Sequence, residues 1–151
     1  MASHDDTTAE HVSEAVADGI LISEFPTTME AARLAREAGM TVVMGAPNVV
    51  RGGSHSGNVS ANALAEARLL DGLSSDYVPS SLLQAVFHLN AEINVALPDA
   101  VAMVSANVAD VVGLGDRGEI ATGRRADLLR VRKVHDVPVV REVWREGSRV
   151  A

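Results

Sequence analysis

An α/β fold, one half of a (β/α) barrel followed by a small antiparallel β tail, is predicted by three features of the 151-residue sequence. Short apolar stretches alternate with helical patterns through the first two thirds of the chain, the order that builds a parallel sheet covered by helices. These stretches run into polar, acid-bearing turns, at Ser3-His4-Asp5-Asp6, Ser23-Glu24-Phe25-Pro26 and Ser74-Ser75-Asp76-Tyr77, and the rim where strands end is where such barrels do their chemistry. From Gly118 the texture changes to short β-rich pieces. The expected division is 1–113 for the half-barrel and 114–151 for the tail.

Each element has its own signal. Thr7-Thr8-Ala9-Glu10 has the S/T-x-x-E form of a capping box and opens a helix with Val12, Ala15 and Val16 on one face, closed by Gly19. A strand follows at Ile20-Leu21-Ile22, and Thr27-Thr28-Met29-Glu30 repeats the capping box before an Ala-rich helix that runs to Ala38 and stops at Gly39. The same unit thus occurs twice. Thr41-Val42-Val43-Met44 is apolar without alternation, which suits a parallel strand buried on both faces. A long loop is expected from Ala46 to Asn58, then a helix over Ser60 to Leu70 and a strand that ends at Asp76. Helical patterning resumes from Ser80 to Asn94 and from Pro98 to Val112, where Pro98 suits a first turn. In the tail, Gly118-Glu119-Ile120, Ala126–Arg132 and Pro138–Val150 read as strands, with Glu146-Gly147 as a hairpin turn.

Composition narrows the function. Twenty acidic residues against thirteen basic ones give a formal charge of -7, and no cluster of Lys and Arg is interleaved with aromatics, so no nucleic-acid partner is expected. With no cysteine, His and carboxylates are the only metal ligands on offer. The amino terminus lacks a basic, then apolar, export pattern, and no uncharged run approaches the roughly 20 residues that span a bilayer. A cytoplasmic protein with no membrane partner is the expectation.

Three segments carry a family resemblance: Ala2-Ser3-His4-Asp5-Asp6; Phe25-Pro26-Thr27-Thr28 with the Gly/His stretch from Gly45 to Asn58; and Ser74-Ser75-Asp76-Tyr77. Together they resemble the carboxy-terminal half of the phosphonate-metabolism protein M family of the amidohydrolase superfamily, and the match covers essentially the whole chain. The resemblance implies strands five to eight of a TIM-like (β/α)8 barrel, followed by the returning strands of a small β-sandwich. It further implies a hydrolase of the carbon–phosphorus lyase pathway that splits α-D-ribose 1-methylphosphonate 5-triphosphate into the 5-phosphate and diphosphate. The cofactor implied is a divalent metal ion, zinc in the first instance, and the substrate class is a phosphorylated sugar. The superfamily's H-x-H pair and bridging Lys or Glu belong to strands one to four, and the chain shows neither strand.

On this resemblance Asp76 matches the acid of the eighth strand, which binds metal and takes the proton from the attacking water; the plainer alternative is a loop acid or helix cap. His4 matches the fifth-strand metal ligand, against the alternative of an exposed His near a terminus. Asp5 and Asp6 either orient that imidazole or are solvated charges. Glu24 stands where the superfamily usually has its sixth-strand His, and is a candidate third ligand. In the glycine-rich stretch, Arg51, Ser54, His55, Ser56 and Asn58 are candidate contacts to phosphate or sugar, with His55 as an alternative metal ligand and an ordinary Gly-rich turn as the plain reading. His11, His88 and His135 read as structural or exposed, and Trp144 and Phe87 as core. Two other functions stay open. One is a non-catalytic half-barrel that binds or assembles, pairing with itself or with a missing amino-terminal half because its sheet leaves two open edges. The other is a cyclic-amide hydrolase, which the polar Gly/Ser/His stretch disfavours.

Overall fold

A computed structural model describes every residue of the chain except His55 and Asp136. Strands β1 (Ala2–His4), β2 (Ile22–Glu24), β3 (Thr41–Gly45) and β4 (Gly72–Ser74) form one sheet in sequence order, and every pairing is parallel. The β1–β2 register sets Ala2 opposite Ile22 and His4 opposite Glu24, an offset of twenty residues. That offset equals the spacing of the sequence repeat. Helices α1 (Ala9–Ala17) and α2 (Met29–Glu37) are nine residues each and also start twenty apart. Ala31, Ala32 and Ala35 are fully buried on α2, where only small side chains permit close packing against the sheet layer. Val42, Leu64, Val86 and Leu89 are buried with them in one apolar cluster.

The repeated unit has a structural reason. Within it, Thr8 and Thr28 cap the two helices, accepting from the backbone N–H of His11 and of Ala31. The expected boxes, which would have Thr7 and Thr27 as caps, are therefore shifted by one residue. Those two threonines are taken up sideways: their hydroxyls bond to each other at 2.8 Å, and Thr27 N–H donates to the Asp6 carbonyl at 2.8 Å. The first unit is thereby tied to the second.

Other boundaries also differ from expectation. The stretch after β3 is not all loop: Pro47 in the first turn and Gly52 in a left-handed cap at φ 77° bracket helix α3 (Ala46–Arg51). Helix α4 (Ala61–Glu66), capped by Ser60, is shorter than the pattern suggests, because Arg68 turns left-handed at φ 58°. Helix α5 (Ser81–Glu92) falls where expected. The run after Pro98 breaks into α6 (Leu97–Ala102) and α7 (Ala106–Val111), since the Ser105 hydroxyl turns back onto the Val101 carbonyl and its own backbone leaves the helical region.

The tail is a second, antiparallel sheet of β5 (Leu128–Val134), β6 (Val137–Arg145) and β7 (Ser148–Arg149). Glu146 and Gly147 both have positive φ, 51° and 79°, the requirement of a tight two-residue hairpin, as the sequence predicts. Gly118-Glu119-Ile120 forms no strand. Arg125 ties the approach segment to the hairpin, pairing with Asp127 at 2.7 Å and Glu146 at 2.8 Å. Trp144 and Phe87 are half-buried rather than central to the core. Charge divides along the same line: residues 1–113 hold fourteen acids against four arginines, whereas 114–151 hold six acids against nine bases.

Candidate functional site

The carboxy-terminal ends of the four strands lie side by side, with His4 opposite Glu24 and Gly45 opposite Ser74. At three of these ends the next turn contains a non-glycine residue in the left-handed region: Asp5 at φ 59°, Phe25 at φ 56° and Asp76 at φ 48°. Such a conformation costs about 1–2 kcal/mol for an L-residue with an ordinary side chain, and a bulky Phe there is unusual. Hydrogen bonds hold the first two in place, since Asp5 N–H donates to the Glu24 carbonyl and Phe25 N–H to that of Val43. Beneath them Asp6, only 5% exposed, accepts from the Ser3 hydroxyl at 2.5 Å and the Ser23 hydroxyl at 2.9 Å. One buried carboxylate thus pins the two strands that end in His4 and Glu24.

A cavity of about 170 Å³ opens at this rim. Its polar wall includes Asp5, Ser54, Ser56, Asn58 and Asp76, and its apolar wall includes Phe25, Met44, Pro47 and Tyr77. Gly45, at the end of β3, is approached closely by both the acid and the ring. A Cβ there would lie 2.9 Å from Asp76 Oδ2 and 3.1 Å from Phe25 Cε1, inside normal contact.

Four of the expected site residues, Asp76, Ser54, Ser56 and Asn58, are therefore brought together around one space. His4 and Glu24 sit on the same rim but do not line the cavity; nor does Arg51, which is exposed in the last turn of α3. His55 lies outside the described residues. His4 instead has Nδ1 3.1 Å from Asp5 Oδ2 and its ring 5.3 Å from that of Phe25, tilted by 60°. Asp5 is thus the residue that orients the imidazole; Asp6 serves the strands.

The described residues do not by themselves make up a complete metal centre. Among the described residues, no group of three or more His, Asp or Glu side chains converges. His4 ends β1 and Asp76 follows β4, the two outer strands of the sheet. What the arrangement offers is an exposed carboxylate at Asp76, an imidazole at His4 held by Asp5, and a polar cavity wall formed by Asp5, the two serines and Asn58. Asp5 is read from the sequence as a residue that could orient His4, whereas Phe25 and Gly45 are given no site role there. An apolar residue after a strand reads as core, and only the glycine that closes a strand hints that something approaches it closely.

The sequence matches the description "Amidohydrolase family" over residues 3–150. It is 51% identical, over 152 aligned residues, to the α-D-ribose 1-methylphosphonate 5-triphosphate diphosphatase of Escherichia coli (strain K12), an alignment that takes in 99% of this chain and 40% of that protein. The chain therefore spans about 40% of the length of this curated relative. Among solved structures, an uncharacterized protein superposes with a TM-score of 0.72 at 21% identity, over 99% of this chain and 44% of the other. An amidohydrolase from Thermotoga maritima MSB8 gives a TM-score of 0.49 at 18% identity, over 94% and 46%. The first of these likenesses bears on the fold, which is α/β with a parallel sheet. With a match across nearly all of its length, the chain belongs to the amidohydrolase family.

Proposed function

We propose that the chain provides strands five to eight of a (β/α)8 barrel, residues 1–113, and the returning sandwich strands, residues 114–151, of a cytoplasmic diphosphatase. The substrate is α-D-ribose 1-methylphosphonate 5-triphosphate, cleaved to the 5-phosphate and diphosphate. The observation that carries this reading is the 51% identity to a diphosphatase of that name across 99% of the chain. The rim is consistent with it. Asp76 is exposed beside an open cavity, where a carboxylate can take a proton from a water attacking phosphorus. His4, held by Asp5, stands on the same rim as a second polar group. A divalent ion, zinc in the first instance, belongs to this proposal with His4, Asp76 and Glu24 as its candidate ligands; among the described residues no three such groups converge, so further ligands complete the set, and no step is assigned to it. No helix among the described residues is long and apolar enough to cross a membrane.

The test is a chimera in which this chain replaces the matching segment of the E. coli relative. The folded chimera is expected to release diphosphate from the ribose triphosphate, and Asp76→Asn is expected to lower the rate roughly 100-fold or more. A folded but inactive chimera refutes the proposal. A second reading, a half-barrel that binds or assembles without catalysis, is favoured by the lack of a converged ligand group among the described residues. It expects no diphosphate release from the 151-residue chain alone.

A further inference from the structure

The tail sheet holds a second cavity, of about 540 Å³, lined by Arg130, Val131, Arg132, Lys133 and Arg141. It shares no lining residue with the cavity at the rim. Three of its four basic side chains, Arg130, Arg132 and Lys133, come from neighbouring positions on β5. The fourth comes from β6 through an irregularity of pairing. Arg130 stands opposite Glu142 but Val131 stands opposite Val140, so Arg141 is an extra residue with no counterpart across the ladder. Such a bulge re-aims a side chain and sharpens the local twist, and here it brings Arg141 to the same concavity as the β5 cations.

Charge around this concavity is unbalanced. Several other arginines of the tail are matched to acids: Arg117 with Asp116 at 2.8 Å, Arg124 with Glu119 at 2.8 Å, and Arg149 with Glu142 at 3.3 Å. Arg130 shares that same Glu142, at 2.9 Å. By contrast Arg132 and Arg141 are exposed and have no carboxylate partner among the described residues. The chain as a whole has a formal charge of -7, so this patch runs against the overall charge. Cations gathered on one concave surface focus a positive potential there and draw in an anion.

The lining indicates which anion. A guanidinium matches phosphate oxygens in a two-pronged fork, and the volume falls within the roughly 300–1,000 Å³ of small-molecule sites. More than one phosphate group therefore fits. No aromatic ring lines the cavity among the described residues, so a nucleobase finds no stacking surface there. We propose that this cavity binds a small oligophosphate anion, with Arg132 and Arg141 as its principal contacts. The site is independent of the diphosphatase reading, since none of its residues belongs to the rim.

The full 151-residue chain is titrated with inorganic diphosphate in about 0.1 M salt, where exposed charges are screened beyond about 10 Å, and backbone amides are followed by NMR. Diphosphate is expected to shift the amides of Val131, Arg132 and Arg141 saturably, and sodium chloride at matched ionic strength to leave them in place. Arg141→Gln is expected to weaken binding about tenfold, as loss of one charge-assisted hydrogen bond predicts. Arg132→Gln gives the same readout if Arg141→Gln does not fold. Arg145→Gln removes the same charge from β6 outside the cavity and is expected to leave the affinity unchanged. The proposal is overturned by shifts that do not saturate, by chloride producing the same shifts, or by Arg145→Gln weakening binding as much as Arg141→Gln. Binding to phosphatidylserine vesicles with no response to diphosphate likewise overturns it, in favour of a membrane surface.

Discussion

Gly45 acts by what it lacks. It ends β3 beneath two side chains from neighbouring turns, and the space a methyl group would fill is occupied by Asp76 and Phe25. Gly45→Ala is expected to cost only about 1 kcal/mol in chemical denaturation, since the Asp76 carboxylate can swing outward. Its larger effect falls on the site: a displaced Asp76 should lower diphosphate release by the chimera roughly 100-fold, the scale of a misplacement near 1 Å. Unchanged turnover would show that Asp76 is not held by this contact. The place of Asp76 just beyond a strand end was legible in the sequence, because an acid just after an apolar strand stands out. Phe25 was not, because a positive φ leaves no mark in one sequence and aromatic residues ordinarily belong to cores.

At the scale of elements, strand order and helix type were readable from alternation and repeat, but helix ends were not. The two threonines of each box are chemically alike, and only the bond between Thr7 and Thr27 decides that the next residue caps. The break at Ser105 likewise depends on a hydroxyl turning inward. In the tail, the segment before β5 is fastened by charge. Asp127 accepts from the Glu146 N–H at 2.8 Å, and that bond, followed by the Arg125 guanidinium, holds its carboxyl below the ordinary 3.8. A lowered folded value means the stabilising contribution is complete above about 3.8 and disappears as pH falls through the folded value. Hydrogen exchange at the Glu146 amide, corrected for its intrinsic pH dependence, is therefore expected to lose protection below pH 3.8. Asp127→Ala should expose that amide at neutral pH. Protection that is flat with pH in the native chain would contradict this account.

At the scale of the whole molecule, the two outer strands of the parallel sheet, β1 and β4, differ in their surroundings among the described residues. At β4, Leu73 N–H donates to the Met103 carbonyl and Asn107 to that of Asp71, so the α6–α7 segment screens that side. β1 has a neighbour on one side only. Unpaired strand edges are sites of association, and a two-fold pairing is the commonest way to close them. Sedimentation of the 151-residue chain at micromolar concentration is expected to give a dimer, and a single-chain mass would refute pairing through β1. The twenty-residue echo within that sheet has a consequence for how such a molecule can change over time. Ser, Thr, Thr and Glu recur at the same steps in both units and make the frame, whereas His4-Asp5 in one corresponds to Glu24-Phe25 in the other. Scaffold and chemistry are spelled in separate letters, so an ancestral copy could be retuned from an acid-and-imidazole socket to an aromatic one without renegotiating the fold.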